Sequence, residues 1–178
     1  PGNTIGDIDF SNDPGLLTEI IKQICSALFY LHLSDYIYFD LKTENILCRI
    51  ENRTPKIKLI DMGFAVKRSE VTLQERRGSA EYIAPELLQN KSFDHRVDLY
   101  SLGIFLYKLI FKKFPFSKLS EIEIYKAHIE ENFTIESTEI IPGLSKVISR
   151  LLEKDPGNRY ENSLQILGEL NVQVDSLM

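Results

Sequence analysis

The sequence has little with which to build a covalent or metal framework. Among its 178 residues only two are cysteine, Cys25 and Cys48, and they form no C-x-x-C pair. Its three histidines, His32, His95 and His128, are scattered. A disulfide scaffold and a Cys/His metal cluster find no support in that spacing. The expectation is a reduced, cytoplasmic chain with two inert thiols. An excess of basic charge is also missing, since 21 Lys and Arg against 26 Asp and Glu leave a net charge of −5. This argues against nucleic acid as a partner, because phosphate binding draws on a basic face. No unbroken run of about 18 apolar residues occurs, so no membrane span or membrane partner is expected. Repeats and low-complexity stretches are absent. The first residues, Pro1-Gly2-Asn3-Thr4, match neither a signal peptide nor an initiator end and read as a cut inside a longer chain. The triplets Asn52-Arg53-Thr54 and Asn132-Phe133-Thr134 fit the glycosylation pattern, which is without meaning in a cytosolic chain.

What is present suffices for one folded domain over 1–178. A hydrophobic share of 43% and a charged share of 26% are those of an ordinary globular chain. Residues 1–13 read as a loop with a short helical turn. Pro14 stands where a helix can begin. Leu17, Ile20, Ile21, Ile24, Leu28 and Leu31 then recur at spacings of three and four, predicting a helix over 15–32 with one buried face. The stretch from Ser34 to Asp40 is too short and mixed for a helix. Ile46 to Ile50 and Lys56 to Ile60 predict two strands, and the turn residues Asn52 to Pro55 join them as a hairpin. Residues 64–82 show no period and predict a long loop, of the kind that is often functional. Further helices are expected at 85–90, 97–111, 120–129, 144–153 and 160–170. The segment from Val97 to Phe111 is apolar almost all round, which marks a central buried helix.

The chemistry concentrates in Asp40-Leu41-Lys42-Thr43-Glu44-Asn45-Ile46-Leu47, which leads into the hairpin. At the far end of the hairpin stands Asp61-Met62-Gly63. Phosphoryl transfer needs such a set: a carboxylate to orient the attacking hydroxyl, a carboxylate and an amide oxygen for a cation, and a positive charge beside the transferred group. Asp40 to Asn45 resembles the catalytic loop of eukaryotic-type protein kinases, and Asp61-Met62-Gly63 resembles their metal-binding motif. Gly78 to Glu86 is similar to the end of their activation segment. Asp98 to Gly103 is similar to the start of their central helix, and Asp155 to Arg159 to a late Asp-Pro-x-x-Arg motif. Each match alone is weak. Five in the family's order, within a resemblance covering about residues 5–170, are specific.

The resemblance implies a mainly α (α+β) fold, the C-terminal helical lobe of a protein kinase with a small β-hairpin, and the serine/threonine branch. It implies Asp40 as the catalytic base and Lys42 as the residue that offsets γ-phosphate charge. Glu44, Asn45, Leu47 and Asp61 fall at the cofactor site, with Asn45 and Asp61 on the metal and Leu47 under the adenine. The implied cofactors are ATP and Mg2+, and the implied partner is a protein substrate offering Ser or Thr. Ser79 matches the hydroxyl that bonds the catalytic Asp and Lys, Asp98 the carboxylate that pins the catalytic loop, and Glu86 with Arg159 a structural ion pair. Two positions depart from the pattern. Tyr38-Phe39 replaces the usual His-Arg, which takes away the basic partner of a loop phosphate and leaves Ser69 and Thr72 as weak phosphosites. Met62 replaces Phe and can fill the same slot. No Gly-rich loop or strand Lys precedes Asp40, so the N-terminal lobe is read as absent and ATP binding by these residues alone as poor. A non-catalytic, pseudokinase-like interaction module is the alternative.

Overall fold

Helix α1 spans Pro14–Leu33 and starts at the expected proline. Asp13 caps it, its Oδ1 accepting from the Leu16 amide at 2.9 Å. Leu17, Ile20, Ile21, Ile24 and Leu28 are fully buried, so the three-and-four spacing is a packed face. By length and composition α1 is also apolar enough to cross a membrane, which a search for unbroken apolar runs misses. Its buried face lies in the core of this domain. The computed structural model describes residues 3–10, 13–52, 54–72, 78–116, 118, 120–135, 138 and 140–173. Expectations resting on Pro1, Gly2, Arg53 and residues 73–77 lie outside these.

The hairpin forms as expected from β3, Ile46–Glu51, and β4, Thr54–Leu59. Ile46 faces Leu59 and Glu51 faces Thr54 across an antiparallel ladder. A third strand that periodicity does not reveal, β1 at Asn3–Thr4, pairs with Leu47 and Cys48 of β3. Two more residues, β2 at Tyr36–Ile37, pair antiparallel with β5 at Val66–Lys67. The long loop is therefore stitched at its start, and it also carries short 3-10 turns at Met62–Phe64, Arg68–Glu70 and Ala80–Tyr82. Two-residue strands have no sequence period to read.

The remaining helices are α2, Pro85–Leu88; α3, Arg96–Phe111; α4, Glu121–Glu130; α5, Leu144–Leu151; and α6, Ser163–Glu169. From Val97 to Tyr107 every residue of α3 is buried, as its apolar composition requires. A Cβ at Gly103 would come within 2.8 Å of Leu151 Cβ, so this glycine sets the close approach of α3 and α5. Ser120 and Glu123 form a reciprocal capping box at the start of α4. The last helix begins three residues later than its apolar pattern predicts. Asn162 caps it by accepting from the Leu164 and Gln165 amides, while Tyr160 is buried in the extended approach. Gln23 ties α1 to the hairpin, donating to the Pro55 carbonyl at 2.7 Å and accepting from the Ile57 amide at 3.0 Å.

Candidate active site

A single buried carboxylate at the start of α3 shapes the loop before Asp40. Asp98 Oδ1 accepts from the Phe39 amide at 2.8 Å, and Oδ2 accepts from the Tyr38 amide at 2.9 Å. His32 Nε2, from the end of α1, meets the same Oδ2 at 2.8 Å. Asp98 therefore does the pinning expected of it, with a helper that sequence spacing does not reveal. Phe39 is held at φ 65°, a costly setting for a bulky residue. Its carbonyl lies against Gly78, where a Cβ would come within 2.6 Å of that oxygen; Gly78 itself has φ 107°. Glycine is required there by both space and backbone.

Asp40 follows, 2% exposed. Its Oδ2 lies 2.7 Å from Lys42 Nζ and accepts from Asn45 Nδ2 at 2.6 Å. Its Oδ1 accepts from Ser79 Oγ at 3.0 Å. Lys42 Nζ also donates to Ser79 Oγ at 3.0 Å. The four side chains thus form one connected set around one carboxylate. A buried carboxylate with this many donors is fixed in orientation. Asn45 Nδ2 also donates to the Asp40 carbonyl at 2.9 Å. With the nitrogen so engaged, the amide oxygen is the end left for a cation.

The hairpin brings Asp61 to this set through backbone bonds. The Ile60 amide donates to the Asn45 carbonyl at 2.9 Å, and Tyr38 Oη donates to the Ile60 carbonyl at 2.6 Å. Tyr38 is thus both buried and a hydrogen-bond donor. Burial, and after it the carboxylates of Asp40, Asp61 and Asp98, push its phenol pKa up, so it stays a donor. Asp61 is exposed at φ 58° and ψ 72°, with Oδ1 accepting from the Gly63 amide at 3.2 Å. Leu47 is half-buried, and strand alternation puts it on the face opposite the buried Ile46 and Cys48.

Among the described residues no three His, Cys, Asp or Glu side chains gather to hold a metal by themselves. A pair of oxygen donors is what Mg2+ takes from a protein when phosphate oxygens complete its shell, so Asn45 and Asp61 fit that ion.

Glu44 stands apart from the other predicted site residues. Its Oε1 accepts from Lys108 Nζ of α3 at 3.1 Å. The same Nζ donates to Thr43 Oγ1 at 3.0 Å and to Tyr82 Oη at 3.1 Å. It also lies over the Phe114 ring, 4.5 Å from its centre. Sequence reasoning misses this cluster because Lys108 sits in a mostly apolar helix, 64 residues from Glu44.

Below the site, Arg159 donates twice to Glu86, at 2.7 and 2.8 Å. It also donates to the Glu153 and Arg96 carbonyls at 2.8 and 3.0 Å. Ser101 Oγ donates to the Tyr82 carbonyl at 2.8 Å, which fastens the end of the activation segment to α3.

A carboxylate fixed beside a lysine and an asparagine, with Asp61 at the far end of the hairpin that follows, is the arrangement of a protein kinase catalytic loop on a mainly helical domain. The chain belongs to the protein kinase domain family, whose pattern matches residues 9–168. It is 39% identical over 148 residues to serine/threonine-protein kinase ULK3 of Xenopus laevis, covering 81% of this chain and 31% of that protein. It is 34% identical over 172 residues to a probable serine/threonine-protein kinase of Clostridium acetobutylicum, covering 93% of this chain and 25% of that protein. An Aurora kinase of Dictyostelium discoideum is 34% identical over 137 residues, 77% of this chain and 35% of its own. The chain thus spans a quarter to about a third of the length of these relatives.

Proposed function

We propose that the protein is a serine/threonine kinase that transfers the γ-phosphate of ATP to protein hydroxyls. The observation that carries this is the closed set Asp40–Lys42–Asn45–Ser79. Asp40 is held with both carboxyl oxygens oriented, ready to align a substrate hydroxyl and take its proton. Lys42 supplies positive charge beside the transferred group. Asn45 and Asp61 would hold Mg2+, which when bound neutralises phosphate charge. Leu47 would lie under the adenine. The names of the relatives support the serine/threonine assignment. The grip on the nucleotide is proposed to come from an N-terminal lobe outside these residues, and the working compartment to be the cytoplasm.

The test is phosphate transfer from ATP and Mg2+ to a Ser/Thr protein by the full-length protein. Asp40→Asn is expected to lower the rate by about 10²–10⁴-fold. A rate unchanged in that variant would refute the role given to Asp40.

One observation favours a second reading, a non-catalytic interaction module. Phe39 stands where the family carries a basic residue, and its ring meets Phe93 edge-on at 6.0 Å. The same contact also fits an active kinase that is not switched by a loop phosphate, since apolar packing replaces the basic partner. Loss of transfer in Asp40→Asn separates the two readings.

A further inference from the structure

We propose that Lys108 sets substrate selectivity by cancelling the charge of Glu44, so that the groove beside the catalytic loop rejects basic side chains and takes acidic or neutral ones. This rests on the kinase reading above. The substrate hydroxyl must meet Asp40. Thr43 and Glu44 follow in the same loop, and Tyr82 belongs to the segment whose Ser79 bonds Asp40. The Lys108 cluster therefore lies between the two chain segments that flank the acceptor position.

Glu44 is the group there that a substrate side chain would feel first, with its side chain 58% exposed. Left alone, an exposed carboxylate beside the catalytic base would recruit lysine or arginine. Lys108, with its side chain 25% exposed, lies 3.1 Å away and prevents this. It is not a mobile surface lysine. Three acceptors hold its ammonium, and the Phe114 and Tyr82 rings lie 4.5 and 5.5 Å from it. Partial burial acts to lower its pKa, but Tyr82 and Glu44 outweigh burial and raise it, so the charge is permanent. Burial likewise acts to raise the Glu44 carboxyl, while the backbone and Lys108 hold it below its ordinary value. The pair is thus a fixed cation and a fixed anion.

Phe114 also lines a cavity of about 440 Å³ bordered by Lys113 and by Lys118, whose ammonium is paired with Glu131 at 2.7 Å. A flanking carboxylate is accommodated here, whereas a flanking guanidinium meets Lys108 and finds its natural partner already taken.

The test uses the full-length protein and Ser peptides with Glu or Arg scanned through the positions flanking the acceptor. Transfer is followed as kcat/KM, and peptide binding in parallel by fluorescence anisotropy, which needs no transfer. The wild type is expected to favour Glu over Arg at the position that meets Glu44. Lys108→Glu is expected to reverse that preference by about tenfold, the size of one charge contact at a partly exposed site. Glu44→Gln, which leaves the lysine charge uncancelled, is expected to strengthen the preference for Glu. A wild type that favours Arg, or a Glu/Arg ratio unmoved in both variants, would overturn the proposal while leaving the kinase reading intact. Absence of transfer to every peptide would instead count against the kinase reading, and binding ratios would still decide the role of Lys108.

Discussion

His128 is enclosed on α4, with Nδ1 2.8 Å from Tyr100 Oη and its ring edge-on to Phe116. Burial drives its pKa down to about 4, and the Lys154 charge adds to this, while the backbone of Ala80 and Glu81 pulls weakly the other way. An unfolded histidine titrates near 6.5. Between those values the unfolded chain binds a proton that the folded chain refuses, so stability is full above pH 6.5 and is lost as pH falls toward 4. The expected loss is about 2–3 kcal/mol at pH 4. Denaturant midpoints of wild type and His128→Asn across pH 4–7 check this. The variant's curve should be flatter over that window, and a wild-type curve equally flat would sink the assignment. The result bears on function, because His128 packs beneath the Ala80–Tyr82 turn of the activation segment.

At the scale of elements, the ion pair of Glu86 on α2 and Arg159, just ahead of α6, joins the activation segment to the helical body. Both side chains are essentially dry, 3% and 0% exposed. Removing one partner strands the other charge away from water. Glu86→Gln or Arg159→Met is expected to cost about 3–5 kcal/mol. The double replacement Glu86→Met with Arg159→Met leaves no bare charge and should recover much of that loss. Thermal or denaturant unfolding of the three variants reads this directly. Additive losses in the double variant would show that the pair acts through something other than mutual neutralisation.

At the scale of the whole molecule, helices surround a buried α3, and the small sheet carries the site at one face. Next to Asp61 in the chain, Met62 and Phe64 are 48% and 41% exposed. Apolar side chains grouped around a site mark a surface that packs against something. Residues 1–178 produced alone are expected to fold, because α3 gives them a central core, and to self-associate through this face. Sedimentation of the fragment, with and without Met62→Ser and Phe64→Ser, measures this. A sharply monomeric, highly soluble fragment would contradict it.

The sequence by itself determined the helices with a clear apolar period, the hairpin, and the motif residues Asp40, Lys42, Asn45 and Asp61, because each is written in local spacing or in a contiguous pattern. It also determined the anchors Ser79, Asp98, Glu86 and Arg159, through their place in the family order. Tertiary structure alone decided the two-residue strands β1, β2 and β5, whose hydrogen bonds depend on a distant partner and leave no period of their own. It alone brought His32 to Asp98, Tyr38 to the Ile60 carbonyl, and Lys108 to Glu44. These contacts join residues 22 to 66 positions apart. Their energy comes from burial and from directed hydrogen bonds between groups that only the folded core makes neighbours. Asp40, Lys42, Asn45 and Asp61 were legible in the chain as motif residues, whereas the partner of Glu44 is a lysine of α3 and appears only once that helix is packed.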